Sequence, residues 1–139
     1  MVGGMGHSSM VSLGAALHSK KEILCLDGDG SILMHLGSLS LAGHLGSKNF
    51  KHIVLNNGSH ESVGGQSTIA QKIDFKKLSS SFGYKNFYMA DKKNNLERTL
   101  NFFLKSNGPS LFEIRIKNGA MKNLLRPKEL IKVKNNFLK

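Results

Sequence analysis

The sequence predicts a single α/β domain: a parallel sheet with helices on both faces. Short apolar runs of strand length, Ile23-Leu24-Cys25-Leu26 and Ile53-Val54-Leu55 among them, alternate with segments long enough for a helix. The polar triplets Gly28-Asp29-Gly30 and Asn56-Asn57-Gly58 follow two of these runs closely, at the carboxyl ends of the expected strands. That edge is where open α/β sheets bind ligands. Asn-Gly also suits a tight hairpin turn, but the residues after Gly58, Ser59-His60-Glu61-Ser62-Val63-Gly64-Gly65-Gln66, do not read as a returning strand.

The elements follow in order. Residues 1–7 are a glycine-rich loop, and Ser8-Ser9 offer capping hydroxyls for a small-residue helix over 10–18. A buried strand is expected over 23–26, then one helix over 32–45 with Gly37, Ala42 and Gly43 as close-packing positions. The next strand covers 51–55, and 56–66 is a polar loop. A helix over 74–82 has Asp74 as its cap and Gly83 as its stop. A strand over 84–89 precedes an amphipathic helix over 94–106, with Leu96, Leu100 and Phe103 on one face. Asn107-Gly108-Pro109 is a turn, and 111–116 alternates as the last strand. Residues 117–139 form a basic tail that wraps the surface and ends in a short helix. No strand precedes the opening loop, so the domain is expected to be truncated at its amino end, as a fragment or a reduced form.

The chain has 139 residues, 40% of them hydrophobic, enough for one domain with its own core. No apolar run approaches the roughly 20 residues of a membrane span, and no secretory signal opens the chain. Cys25 is the lone cysteine, so an intrachain disulfide is excluded; it is expected to pack as a small hydrophobe, and a cytoplasmic location follows as the default. The formal net charge of +11 invites a nucleic-acid reading. Against it, the lysines are scattered, arginine is confined to Arg98, Arg115 and Arg126, and there is no tryptophan. An anionic small molecule is the better use of the charge.

Asp29 and an oxygen of the Asn56-Asn57 pair are hard ligands suited to Mg²⁺ beside a phosphate group. Glycines around Asp29 let the backbone approach a diphosphate, and Ser31 opens a helix whose first N–H groups favour an anion. These residues form a pattern. Leu26-Asp27-Gly28-Asp29-Gly30-Ser31, Met34-His35-Leu36-Gly37 and the stretch from Leu55 to Gln66 resemble the thiamine diphosphate-dependent phosphonopyruvate decarboxylase family. So do the opening Gly3-Gly4-Met5-Gly6-His7-Ser8-Ser9 and the late segments Gly108-Pro109, Glu113-Ile114-Arg115 and Leu125-Arg126-Pro127. The resemblance covers essentially the whole chain and is specific to that family's carboxyl-terminal diphosphate-binding (PP) domain.

The resemblance implies a thiamine diphosphate-binding fold with thiamine diphosphate and Mg²⁺ as cofactors. It implies Asp29, Asn57 and the Ser59 carbonyl as metal ligands, and Gly28, Gly30, Ser31 and Ser62 as diphosphate contacts. Met5 would bend the cofactor and the Gly3 carbonyl would accept from its aminopyrimidine. His7, His60 and Glu61 would position substrate, shuttle protons or shape the loop. Arg126 and Lys128 would bind a substrate anion or form part of a solvated tail. His35 and His44 are expected to be packing residues. The implied reaction is decarboxylation of phosphonopyruvate to phosphonoacetaldehyde. It needs a second, pyrimidine-binding (PYR) domain that this sequence lacks, so the expected partners are a PYR-containing chain or a missing amino-terminal part, in a homo- or hetero-oligomer. The alternatives are a decarboxylase for sulfopyruvate or another 2-oxo acid, a non-catalytic remnant that binds cofactor or a partner, and a basic nucleic-acid module.

Overall fold

Four strands form one parallel sheet: β1 (Ile23–Gly28), β2 (Phe50–Asn56), β3 (Asn86–Ala90) and β4 (Ser110–Arg115), in spatial order β1-β2-β4-β3. The structure is a computed structural model that describes residues 3–119, 123 and 127–138. Register is continuous across the sheet: Cys25 sits opposite His52, and Ile53 opposite Phe112. The helices are α1 (Ser8–Leu17), α2 (Asp29–Met34), α3 (Ser38–Leu45), α4 (Phe75–Ser81), α5 (Lys93–Lys105) and α6 (Leu130–Phe137). Single 3₁₀ turns occupy Glu61–Val63 and Ala70–Lys72.

Strand alternation divides the core into two layers. On one face Cys25, Phe50, Val54 and Leu111 pack against Leu13 and Ala16 of α1, Leu39 and Ala42 of α3, and Phe75 of α4. On the other, Ile53, Ala90 and Phe112 meet Phe103, Leu96 and Leu100 of α5. The expected helical face 96-100-103 is therefore the packing face. Phe103 is fully buried, its ring 5.3 Å from Phe112 and 5.8 Å from Tyr88. This second layer stops short of β1. Leu24 and Leu26 point to its side of the sheet and are 47% and 59% exposed, with Leu55 beside them at 36%.

Several local expectations hold. The Asp74 carboxylate accepts from Lys77 N at 3.0 Å and caps α4, and Gly83, at φ +89°, follows its end. Gly43 lies where α3 crosses the end of α4, and a Cβ there would stand 2.1 Å from the Phe82 carbonyl oxygen. Others fail. The helix over 32–45 is two helices, α2 and α3, parted at His35, Leu36 and Gly37. The Ser38 N–H bonds the His35 carbonyl at 2.8 Å, closing a turn between them. Gly37 belongs to that break and is not a close-packing position, since a Cβ there would meet nothing within 4 Å. His35 and His44 are exposed rather than packed inside. In the tail, α6 is exposed along its length.

β2 also carries a buried lysine. Lys51 Nζ donates to the Phe103 carbonyl at 3.0 Å and to the Ser106 carbonyl, so its charge ends α5 from within the layer. Burial lowers its pKa.

Candidate functional site

The carboxyl ends of β1 and β2 carry the two polar motifs, and the chain's opening loop joins them. β1 ends at Gly28, and α2 starts at once with Asp29-Gly30-Ser31, all three buried. Among the described residues no side chain caps α2, which leaves its first N–H groups for another acceptor. The buried Gly6 N–H donates to Ser31 Oγ at 2.9 Å. This bond pins the loop bearing Gly3, Met5 and His7 onto the Gly28-Asp29-Gly30 turn. Gly6 itself sits so close to His35 that a Cβ would be 2.2 Å from Nδ1, and the His35 ring lies 4.4 Å from that of His7. Met5 is half-buried; Gly3 and His7 are exposed.

The second motif divides its two asparagines. Asn56, fully buried, turns into the sheet: its Nδ2 donates to Glu113 Oε1 at 2.8 Å and its Oδ1 accepts from Gly58 N at 3.2 Å. Glu113 also accepts from Arg115 Nε at 3.1 Å. Asn57 stays half-buried at the surface. Its Oδ1 accepts from Ser59 N at 3.0 Å and its Nδ2 donates to Glu61 Oε2 at 2.8 Å. Glu61 accepts from Gly119 N as well. Its carboxylate therefore orients the Asn57 amide. Ser59 is buried and opposes Ser67 in an antiparallel bridge. The bridge is held by His60 N to Gln66 O and Thr68 N to Gly58 O, 2.8 Å each, and neither bond uses the Ser59 carbonyl. Ser62 is exposed in the 3₁₀ turn.

Two contacts join the motifs. Thr68, beyond the bridge, donates its hydroxyl to Asp29 Oδ2 at 2.5 Å. The His60 ring lies over Gly30, where a Cβ would be 2.3 Å from Nδ1, so a side chain there would displace the ring. Asp29 is 2% exposed, and among the described residues Thr68 is its one hydrogen-bond donor. Buried carboxylates are normally paired. By their chemistry a carboxylate, an amide oxygen and the Ser59 carbonyl, which accepts no hydrogen bond among the described residues, would suit a hard divalent cation such as Mg²⁺. The glycine-lined, uncapped turn beside it fits a diphosphate. Thr68 was not singled out from the sequence, and Asn56 and Glu113 stand there only as parts of longer motifs, with no role of their own. Arg126 lies outside the described residues, and Lys128 is exposed on the tail.

Beneath the turn lies a second polar group. Burial pushes the Asp27 carboxyl up, but His52, Ser31 and Ser8 outweigh it and hold the pKa below the ordinary value. Burial disfavours the His52 imidazolium, yet Tyr84, Asp27 and Cys25 raise its pKa well above the usual range. Burial raises the Tyr84 phenol.

Residues 1–114 match the family described as "Thiamine pyrophosphate enzyme, C-terminal TPP binding domain". The chain belongs to this family. Its cofactor is thiamine diphosphate. A phosphonopyruvate decarboxylase from Streptomyces viridochromogenes is 39% identical over 92% of this chain and 32% of its own length. A sulfopyruvate decarboxylase subunit beta from Methanothermobacter thermautotrophicus is 36% identical over 86% of this chain and 62% of its own. The chain thus spans about a third of the phosphonopyruvate decarboxylases it matches. Among solved structures, a thiamine diphosphate-dependent 4-hydroxybenzoylformate decarboxylase from Rhodococcus jostii superposes with a TM-score of 0.69 at 23% identity, over 85% of this chain and 24% of that one. The expected fold, a parallel sheet of the thiamine diphosphate-binding kind, is therefore correct. No helix among the described residues is long and apolar enough to cross a membrane.

Proposed function

We propose that this chain is the diphosphate-binding part of a thiamine diphosphate- and Mg²⁺-dependent decarboxylase whose substrate is phosphonopyruvate. The observation that carries the reading is the tethering of Asp29 to the Asn57 loop through Thr68, directly beside an uncapped glycine turn. In this reading Asp29, the Asn57 amide oxygen and the Ser59 carbonyl hold Mg²⁺. The backbone of Gly28, Gly30, Ser31 and Ser62 receives the diphosphate. Glu61 acts through Asn57, keeping its amide oxygen in place. Thiamine diphosphate, when bound, supplies the electron sink that lets carbon dioxide leave a 2-oxo acid. Met5 and Gly3, tied in by Gly6 and Ser31, orient the cofactor's ring end. His7 and His60 flank the turn as proton-handling or substrate-positioning groups.

Both named relatives act on a pyruvate bearing a tetrahedral anion, and the Asn56–Gly65 loop favours the phosphonate. Sulfopyruvate is the second reading, supported by the methanogen beta subunit, whose name implies a companion subunit. Function here is proposed to require a PYR-containing partner within a hetero- or homo-oligomer, because the chain spans about a third of the phosphonopyruvate decarboxylases it matches and is similar to a relative named as a beta subunit. The test is turnover of phosphonopyruvate and of sulfopyruvate, followed by aldehyde formation, by this chain with and without a PYR-containing chain. Faster phosphonopyruvate turnover that depends on the partner supports the proposal. Preference for sulfopyruvate, or robust turnover by the chain alone, overturns it.

A further inference from the structure

Three side chains on the α1 side of the sheet converge beneath the cofactor turn. Cys25 and Asp27 alternate along β1, and His52 stands opposite Cys25 on β2. They are 2%, 5% and 0% exposed. One ligand atom from each lies within 4.8 Å of the other two. His52 Nε2 and Asp27 Oδ2 face each other at 3.7 Å, beyond hydrogen-bond reach, and both are buried without a hydrogen-bond partner.

The remaining atoms of the same groups are occupied. His52 Nδ1 lies 3.1 Å from the Tyr84 hydroxyl. Asp27 Oδ1 accepts from Gly28 N at 3.1 Å. An outer hydrogen bond on the far nitrogen, with the near one left open, is how proteins orient a ligating histidine. The carboxylate is held in the same manner. Thus the two open atoms and the thiol lie close together within the buried layer.

The geometry points to a zinc-type metal site formed by Cys25, Asp27 and His52. Two nitrogen or oxygen ligands about 2.1 Å from a tetrahedral zinc lie about 3.4 Å apart, close to the 3.7 Å between His52 Nε2 and Asp27 Oδ2, while the Cys25 sulfur, within 4.8 Å of both, would move in by up to about 1 Å. Thiolate, imidazole and carboxylate together suit a borderline-soft divalent ion, whereas Mg²⁺ prefers oxygen alone. Charge balances as well. Binding releases the thiol proton, and any proton on His52 Nε2, to solvent. The thiolate and carboxylate then neutralise the dication, leaving a buried site without net charge. Such an ion would clamp the end of β1 to β2 and fix the Gly28 backbone, one residue from Asp29. It is distinct in ligands and in metal preference from the hard-cation site above, and it does not depend on that reading.

The probe is Co²⁺ alone, added to the full chain after removal of metals by chelation and refolding, with no thiamine compound present. We expect a thiolate-to-cobalt charge-transfer band that saturates at a single equivalent and is displaced by Zn²⁺. Zn²⁺ should raise the melting temperature more than Mg²⁺ does, and it should do so in Asp29→Asn as well. Cys25→Ser, nearly isosteric, should lose the band while keeping its far-ultraviolet circular dichroism; Asp29→Asn should retain it. The wild-type band alone decides the matter should Cys25→Ser fail to fold. Absence of the band in refolded wild type, or its survival in folded Cys25→Ser, overturns the assignment and returns Asp27 and His52 to a plain buried ion pair.

Discussion

Asp29→Asn tests the hard-cation site most directly. The side chain is 2% exposed, and its Oδ2 accepts from Thr68 at 2.5 Å. An amide of the same shape keeps an acceptor for Thr68 but removes the charge. A ligand present at about one hundred times its dissociation constant stabilises a fold by about 2.7 kcal/mol. Unfolding entropy of about 2.1 cal/mol/K per residue, over this chain's 139 residues, gives about 0.29 kcal/mol/K. Mg²⁺ and thiamine diphosphate together should therefore raise the melting temperature of the wild-type chain by about 9 °C at that ligand excess. Either alone should do less, because the metal bridges protein and diphosphate. In Asp29→Asn the shift should vanish. The unliganded variant should melt no lower than wild type, since it no longer buries a charge without a cation. Differential scanning fluorimetry with each component separately and both together reads all of this. A full shift in Asp29→Asn would show that the metal is held elsewhere.

Met5→Gly should leave Mg²⁺-thiamine diphosphate affinity nearly unchanged but slow decarboxylation in the assembled enzyme, as affinity comes from the diphosphate end; calorimetry beside turnover separates the two, and full-rate turnover would make Met5 a packing residue. Gly43→Ala places a Cβ 2.1 Å from the Phe82 carbonyl oxygen, and backbone has to shift to make room; a cost of about 1–3 kcal/mol in chemical denaturation is expected. Asp74→Ala removes the cap of α4. The Lys77 backbone N–H holds the Asp74 carboxyl below its ordinary value. Its contribution is thus present above that unfolded-state value and is lost as pH falls through the depressed folded one. Wild type and Asp74→Ala should differ in stability at neutral pH and converge in strong acid, and a gap that stays constant with pH would contradict the cap.

Much of this was legible because the relevant patterns are local. The face Leu96, Leu100 and Phe103 repeats at helical spacing; Asp74 caps through its own carboxylate, and Gly83 stops the helix because, with no side chain, it takes a positive φ freely. The break between α2 and α3 was not legible. Leu33, Met34 and Leu36 continue an apolar pattern across it, and the turn depends on backbone bonds that leave no compositional trace. The site divides in the same way. Asp29 and Asn57 stand in contiguous motifs, whereas Thr68 reaches Asp29 across 39 positions of sequence. Asn56 looks equivalent to Asn57 until the strand's alternation sends it inward to Glu113. Cys25 reads as a small hydrophobe because nothing in its neighbourhood along the chain announces His52. Only the parallel register of β1 and β2 sets them side by side.

The bare side of β1 has a consequence for the chain in solution. β1 is an edge strand, with Leu24 and Leu26 exposed on one face. Such an edge offers both free backbone groups and an apolar footing to a second molecule. Opposing this is the chain's formal net charge of +11, which keeps copies apart. The two influences respond differently to electrolyte. Added salt shortens the reach of the repulsion, to about 10 Å at 0.1 M, and leaves the leucine contact untouched. Ionic strength thus acts as the colloidal control for this chain. Dilute buffer keeps it dispersed, and salt drives it toward whatever surface will cover β1.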